Sequence, residues 1–139
     1  MIKPSHAIAA AILLAACAPA VQSATAPAAQ RAFVGVWTGM GTQSDDPDSS
    51  WSITAAITGG QPGAVVGTIA YPSLTCGGDL VLQNATADSL VVRERITFGD
   101  CLDGGIITLG WRSPGYLDYR WRCDTSAVTA RGQLGPAKR

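Results

Sequence analysis

The chain is 139 residues long, and its ten Lys+Arg residues balance ten Asp+Glu residues, so the formal net charge at pH 7 is +0. This balance leaves no basic surface of the kind that binds nucleic acid. The one histidine is His6, close to the start, so histidine-dependent nucleophilic sites and histidine zinc sites are excluded from the rest of the chain.

The first residues indicate export. Lys3 precedes an apolar run over residues 7–16, which is far shorter than the ~20 residues that a membrane-spanning helix needs. Residues 14–17 (LAAC) resemble the lipobox of bacterial lipoproteins, and this resemblance implies cleavage before Cys17 and acylation of that cysteine. Ordinary signal peptidase has a competing site at residues 18–20 (APA), where the proline disfavours cleavage.

A flexible tether is predicted after the signal. Residues 1–16 are the predicted signal peptide, and residues 17–32, mostly Ala, Pro, Gln, Ser and Thr, are the predicted lipidated cysteine and linker. About fifteen flexible residues have an r.m.s. reach of roughly 20 Å. The resemblance implies a lipid anchor in the membrane of the bacterial cell envelope, and Ala18 favours the outer membrane, facing the periplasm or the exterior. Residues 33–136 are predicted to form one folded domain.

This domain alternates apolar and other residues with a period of two, and Gly, Pro, Asp or Asn clusters interrupt the alternation at short intervals. The pattern is typical of β-strands joined by hairpin turns. It predicts an all-β fold, an eight-stranded antiparallel up-and-down barrel, with a two-sheet β-sandwich as the alternative. The predicted strands are 34–42, 51–58, 64–71, 78–84, 89–98, 105–112, 116–122 and 127–134.

Strict alternation assigns an inward face to each strand. That face holds all four tryptophans, and glycines opposite them leave room for the rings in a narrow interior. We expect the aromatic rings to fill the barrel, with stacking on a ligand as the alternative. The predicted inward residues are Gly35, Trp37, Gly39, Trp51, Ile53, Ala55, Ile57, Val65, Gly67, Ile69, Tyr71, Leu80, Leu82, Leu90, Val92, Glu94, Ile96, Ile107, Leu109, Trp111, Leu117, Tyr119, Trp121, Val128, Ala130, Gly132 and Leu134.

Carboxylates cluster in the first hairpin loop, residues 45–50 (DDPDSS). Calcium is one interpretation, but the loop lacks the glycine turn and the distant bidentate Glu of a loop-type calcium site. We therefore predict a solvated loop, no metal and no cofactor.

Three cysteines remain after Cys17, an odd number for an oxidising compartment. In an antiparallel meander Cys76, Cys101 and Cys123 all fall at the same end of the strands. Because the strands next to Cys76 and Cys101 form a hairpin, these two are predicted to form the disulfide. Cys123 is then predicted to be a buried thiol, while a pairing with Cys101 or an intermolecular bridge stays open.

Glu94 is the only glutamate of the chain, and alternation turns it toward the barrel axis. A carboxylate inside a small barrel costs free energy unless it is paired. It is either a group that anchors a ligand or transfers a proton, or a structural group paired with an Arg, with Tyr119 or with a tryptophan N–H. We favour the structural role, and we name Glu94, Trp37, Tyr119 and Trp121 as the candidate ligand-binding or polar core residues.

Two resemblances extend this interpretation. Residues 35–37 (GVW) resemble the GxW motif that opens lipocalins and avidins, in which an Arg near the last strand packs on the Trp; Arg131 is the candidate here. The chain is also similar to a small secreted β-domain of bacterial envelope proteins, including the extracytoplasmic ends of some membrane serine/threonine kinases. That similarity implies the fold and the disulfide and supplies no catalytic residue. It rests on residues 66–74 (VGTIAYPSL), Cys76, 93–97 (RERIT), Cys101, 104–105 (GG) and 117–121 (LDYRW).

The sequence therefore favours a non-enzymatic envelope lipoprotein that acts as a binding or inhibitor module for an envelope protein or a small ligand. One alternative is a structural component of the envelope. Another is a hydrolase that uses carboxylates alone, Glu94 with Asp118 or Asp124. Five outward arginines on the later strands form either a contact stripe or a solvated barrel wall. They are Arg93, Arg95, Arg112, Arg120 and Arg122.

Overall fold

The computed structural model describes residues 26–138, which form eight β-strands and two short 3-10 helices. One 3-10 helix, Ala28–Phe33, precedes the first strand, and the other, Pro72–Leu74, joins the third and fourth strands. Each strand lies within two residues of its predicted position. The strands are β1 (Gly35–Gln43), β2 (Ser50–Ile57), β3 (Val65–Tyr71), β4 (Cys76–Ala85), β5 (Ser89–Phe98), β6 (Ile106–Arg112), β7 (Tyr116–Cys123) and β8 (Ser126–Pro136).

The strands pair in sequence order and close into an antiparallel barrel. Closure is made by β8 against β1, with Leu134 opposite Gly39 and Gly132 opposite Gly41. Each strand thus has two neighbours, so no backbone edge of the barrel is left open for pairing with another chain. The up-and-down barrel is confirmed, and the β-sandwich alternative is wrong.

Most of the apolar residues of the predicted inward face form one hydrophobic core, which does not include Ile96 and Val128. Trp37 and Trp51 are buried in it, whereas Trp111 and Trp121 are partly buried against it. Trp37 and Trp111 meet edge to face with ring centroids 6.1 Å apart, a favourable aromatic geometry. The predicted filling of the barrel by aromatic rings is therefore confirmed at these positions.

The alternation breaks at the start of β3. The pairing with β4 shifts between Val65 and Gly67, which marks a β-bulge. A bulge adds one residue and reverses the inside-outside parity before it. As a result Val66 is 0% exposed and Val65 is 47% exposed, so the predicted inward position of Val65 is wrong.

The N-terminal 3-10 helix closes one end of the barrel, which we call the plugged end. Phe33 is fully buried there, and Gln30, 3% exposed, holds the loop after β2 through two hydrogen bonds. Its Nε2 donates to the Gly60 carbonyl at 2.7 Å, and its Oε1 accepts from the Gly60 N–H at 2.9 Å. Residues 28–32 of the predicted linker 17–32 therefore belong to the folded unit. Cys17 and the predicted signal peptide lie outside the described residues.

The expected packing of Arg131 on Trp37 is wrong. Trp37 lies opposite Pro136 in the pairing of β1 with β8, whereas Arg131 lies opposite Thr42 near the other end and is exposed. The indole N–H of Trp37 donates instead to the Phe33 carbonyl at 2.8 Å. The N-terminal 3-10 helix, which we call the plug, covers this tryptophan in place of an arginine.

The opposite end, which we call the disulfide end, carries the predicted bridge. Cys76 and Cys101 are bonded, with their Cα atoms 5.9 Å apart and a sequence separation of 25. Closing a loop of this length contributes about 3.5 kcal/mol in the chain-entropy treatment. Within the described chain Cys123 keeps a free, buried thiol, as predicted. Neither of the two described helices has the length and apolar character needed to cross a membrane.

Candidate functional site

The barrel interior opens into a pocket at the disulfide end, with a volume of about 140 Å³. This is close to the size of a cavity that holds a benzene molecule. Odd-numbered strands end and even-numbered strands begin at this end, so residues far apart in sequence meet around the pocket. Its lining residues are Gln43, Trp51, Tyr71, Leu74, Glu94, Cys101, Leu102, Tyr119, Trp121 and Ala130.

Glu94, from the middle of β5, is the charged side chain in that lining. It is 2% exposed, and its Oε2 accepts a hydrogen bond from the indole N–H of Trp121 at 3.0 Å. The other oxygen, Oε1, is buried and has no hydrogen-bond partner among the residues that the structure describes. Buried polar atoms without a partner are rare in folded proteins and costly, so Glu94, which lines the pocket, carries one unfilled acceptor.

Burial raises the pKa of the Glu94 carboxyl above its ordinary value of 4.5, because the ionised form loses solvation. The Tyr71 hydroxyl and the Trp121 N–H favour the ionised form and oppose this shift, while the negative charge of Asp103 adds to it. The result is an acid that gives up its proton at a higher pH than an exposed glutamate. A positive group in the pocket would reverse this shift.

Two tyrosines lie beside the acid. The hydroxyl oxygens of Tyr71 and Tyr119 are 2.8 Å apart and share a hydrogen bond across the barrel. Burial raises the pKa of each hydroxyl well above the ordinary value of 10.0. Both side chains are therefore neutral phenols over the whole accessible pH range, and they present hydroxyl groups and uncharged rings to the pocket.

The position of Trp121 depends on a glycine. A Cβ atom on Gly105 would overlap Nε1 of Trp121, so only glycine lets the indole reach Glu94. The same glycine accepts a hydrogen bond from the Glu94 N–H at 2.7 Å, and Gly104 donates to the Glu94 carbonyl at 3.2 Å. Gly104 and Gly105 were not among the predicted inward glycines. Their role depends on contacts made by the loop between β5 and β6.

Apolar side chains form the rim of the pocket. Leu74, just before β4, and Leu102, in the loop after β5, are both exposed at its mouth. Leu102 directly follows Cys101, and Leu74 lies two residues before Cys76, so the disulfide ties the two rim segments together. The mouth is thus apolar and covalently fixed.

The candidate residues divide between the two ends. Glu94, Tyr119 and Trp121 meet in the pocket, as alternation and strand direction predict. Trp37 lies at the plugged end with its N–H bonded to Phe33, so it is not part of the pocket. The structural alternative for Glu94 is realised through a tryptophan N–H and not through an arginine. Tyr71 and Trp51 were predicted to face inward but were not recognised as pocket residues.

The carboxylates proposed as hydrolase partners lie outside the barrel. Asp118 pairs with Arg112 at 2.7 Å, and Asp124 pairs with Arg122 at 2.8 Å. The structure therefore does not bring either one to Glu94. The first hairpin loop is exposed, and within residues 26–138 no three His, Cys, Asp or Glu side chains gather around a point that a metal ion would occupy.

The predicted arginines all lie on the outer wall and are exposed. Arg95 is paired with Asp79 at 2.7 Å, and Arg93 donates to the Gly104 carbonyl at 3.1 Å. With Arg112 and Arg122 also paired to aspartates, most of the stripe is engaged in local contacts. The pocket is the stronger candidate site.

Comparison with known protein families, with curated proteins and with solved structures found no match for the chain.

Proposed function

We propose that the chain is a non-enzymatic binding module of the bacterial envelope that takes a small ligand into the pocket at its disulfide end. The observation that carries the proposal is Oε1 of Glu94, which is buried at the pocket and receives no hydrogen bond from residues 26–138. A ligand that donates to this oxygen would complete the hydrogen bonding of the site.

The rigid frame around the pocket supports this proposal. Closed pairing of the strands, the Cys76–Cys101 disulfide and the contact of Gly105 with Trp121 hold the lining in one arrangement. A site that is already formed loses little conformational freedom on binding, which favours affinity. Its composition also fits a ligand site, with mostly apolar and aromatic walls and few polar groups.

The proposed location follows from the lipobox resemblance of residues 14–17, which implies acylation of Cys17. The segment that leads from Cys17 to the domain joins it at the plugged end, where Gln30 and Phe33 are buried. The pocket mouth is at the opposite end. A barrel anchored in this way presents its pocket to the aqueous side, away from its point of attachment.

A fragment screen tests the binding function. The full chain, purified from membranes in detergent, is screened by ligand-observed NMR against organic compounds of about six to ten heavy atoms, the size that a benzene-sized cavity admits. We expect binders that raise the melting temperature and change tryptophan fluorescence.

Two substitutions locate the binding. Ala130→Leu fills part of the pocket and is expected to weaken binding at least tenfold, because Ala130 lines it. Ala127→Leu is the matched control, since Ala127 is exposed on the same strand and outside the lining. Absence of binders, or binders that Ala130→Leu does not affect, would overturn the proposed function.

Acylation is tested separately. Cells expressing the chain are fed a radiolabelled or alkyne-bearing palmitate, and the protein is recovered from separated inner and outer membranes. We expect label on the wild type in the outer-membrane fraction and none on Cys17→Ser. Unlabelled wild-type protein in the soluble fraction would refute the lipid anchor and leave the binding proposal standing.

A further inference from the structure

We infer that the pocket recognises a protonated amine, whose N–H donates to Oε1 of Glu94 while its carbon chain lies against the aromatic walls. This inference rests on the proposed function and specifies its ligand class. It combines three features of the site: the sign of its charge, its aromatic lining and the geometry of its one unfilled acceptor.

The charge of the pocket lining excludes an anionic ligand. Glu94 is the ionisable carboxyl in the lining, and no Lys, Arg or His among the described residues lines the pocket. The arginines of the neighbouring β5 positions, Arg93 and Arg95, point outward and bind Gly104 and Asp79. An anionic ligand would therefore face a carboxylate without a counter-charge, whereas a cation would neutralise it.

The walls favour a cation as well. Trp51, Tyr71, Tyr119 and Trp121 all line the pocket, so its surface is largely made of aromatic rings. The faces of such rings carry negative electrostatic potential and attract ammonium groups, most strongly where water is excluded. Burial raises the pKa of both tyrosine hydroxyls, so both rings stay neutral. Unlike the Glu94 carboxyl, the tyrosines therefore add no charge to the pocket that changes with pH.

The acceptor geometry selects an amine that carries at least one hydrogen. Oε2 of Glu94 is already occupied by the Trp121 N–H, whereas Oε1 accepts no hydrogen bond from the described residues. A primary or secondary ammonium supplies both a positive charge and an N–H, and such charge-assisted hydrogen bonds are stronger than neutral ones. A quaternary ammonium supplies the charge alone and would leave Oε1 unpaired.

The size of the pocket limits the part of the ligand that is attached to the amine. About 140 Å³ admits an ammonium group with a short alkyl or single-ring substituent. The exposed Leu74 and Leu102 at the mouth offer an apolar surface to a carbon chain that extends outward. A short alkylamine, or the amine end of a larger molecule, matches this shape.

Binding of a cation also changes the protonation of Glu94. The groups that face its carboxyl are Tyr71 from β3, Trp121 and Tyr119 from β7, and Asp103 from the loop after β5. The two tyrosines do not ionise in the accessible range. Burial raises the pKa of Glu94, and an ammonium in contact lowers it again, so binding to the protonated form releases one proton to solvent. Affinity for an amine therefore increases as pH rises through the pKa of the empty site.

Calorimetry with three probes of equal size tests the inference on the full chain. The probes are n-pentylamine, n-pentanol and n-pentanoate, which differ in charge and in donor groups. We expect the amine to bind at least tenfold more tightly than the alcohol, and the carboxylate not to bind. A trimethylated pentylammonium should bind more weakly than the primary amine.

Glu94→Gln is expected to weaken amine binding at least tenfold while leaving pentanol binding within about twofold. Asp118→Asn is the control, because Asp118 lies on the outer wall in a pair with Arg112. Should Glu94→Gln fail to fold, proton release by the wild type, measured in buffers of different ionisation enthalpy, takes its place.

The outcomes separate the two proposals. Equal affinity for pentanol and pentylamine, absence of proton release at all pH values from 4 to 8, or amine binding that Glu94→Gln does not change would each overturn the amine inference. Pocket binders from the fragment screen that carry no amine and bind as tightly as amines of the same size would do the same and leave the proposed function intact. If no compound binds the pocket, both proposals fail.

Discussion

The indole N–H of Trp121 donates to Oε2 of Glu94 at 3.0 Å, which joins the only glutamate of the chain to a strand 27 residues further along. This contact satisfies one carboxyl oxygen, while the other is buried without a partner among the described residues. The same hydrogen bond that stabilises the acid thus leaves it with one available acceptor. Structural support and ligand binding are compatible roles for Glu94.

Glu94 makes stability depend on pH. Its folded pKa is raised above 4.5, so between that value and the raised pKa the folded chain holds a proton that the unfolded chain has released. The free energy of unfolding contributed by this group is therefore complete below pH 4.5 and decreases as pH rises through the folded pKa. We expect the melting temperature of the wild type to fall relative to Glu94→Gln over this interval, measured by calorimetry. Parallel curves for the two proteins would contradict the raised pKa, and Asp118→Asn controls for general charge effects.

Gly105→Ala is expected to destabilise the fold. The added Cβ would overlap the Trp121 indole, which must move and release Glu94. Overpacking of this kind typically costs about 1–3 kcal/mol, measured here by urea unfolding. Gly135→Ala is the matched control, because its Cβ would meet no atom within 4 Å, and it should change stability by less than about 0.5 kcal/mol. Equal stability of the two variants would show that the Trp121 position does not depend on glycine.

Loss of the disulfide is expected to lower stability and loosen the pocket mouth. Replacing Cys76 and Cys101 by Ser opens a 25-residue loop, which costs about 3.5 kcal/mol in the chain-entropy treatment. Urea unfolding gives the stability, and hydrogen exchange at Leu74 and Leu102 reports the mobility of the rim. Cys123→Ala serves as the control that keeps the bridge.

In the wild type, a thiol reagent should label Cys123 only after unfolding, because this thiol is buried.

The plug also contributes to stability. Gln30→Ala removes two hydrogen bonds to the partly buried Gly60 and leaves the Gly60 N–H and carbonyl without these partners. Each lost hydrogen bond costs about 0.5–1.5 kcal/mol, so we expect unfolding at lower urea concentration. Gln61→Ala is a neighbouring exposed control. If both variants unfold at the same urea concentration, the plug does not hold the barrel closed.

The barrel was predictable because its determinants are local. Apolar alternation assigns each strand an inside and an outside, and short turns make consecutive strands neighbours, which places Glu94 inside and Cys76 near Cys101. Strand direction also separates Trp37 from Trp121, since one lies early in an odd-numbered strand and the other late. Strand direction alone is therefore enough to exclude Trp37 from the candidate site.

The rest depended on contacts that no pattern encodes. The bulge between Val65 and Gly67 shifts the parity of β3. The glycine there is a weak signal, because glycines such as Gly39 also occur in β1 without a bulge. Gln30 lies in a segment of Ala and Pro with the composition of a linker, and its role comes from one amide that fits Gly60. The unfilled oxygen of Glu94 is likewise a matter of geometry, because sequence gives the burial of a carboxyl but not the number of its partners.

The pairing of β8 with β1 has a consequence for biosynthesis. The outer edge of β1 finds its partner only when residues 130–136 have been made and delivered, almost a hundred residues later. A chain arrested before Ser126 would therefore display two unpaired strand edges, to which other copies can add. Under the proposed export, keeping the nascent chain unfolded until its last strand has crossed the membrane would be a safeguard against aggregation.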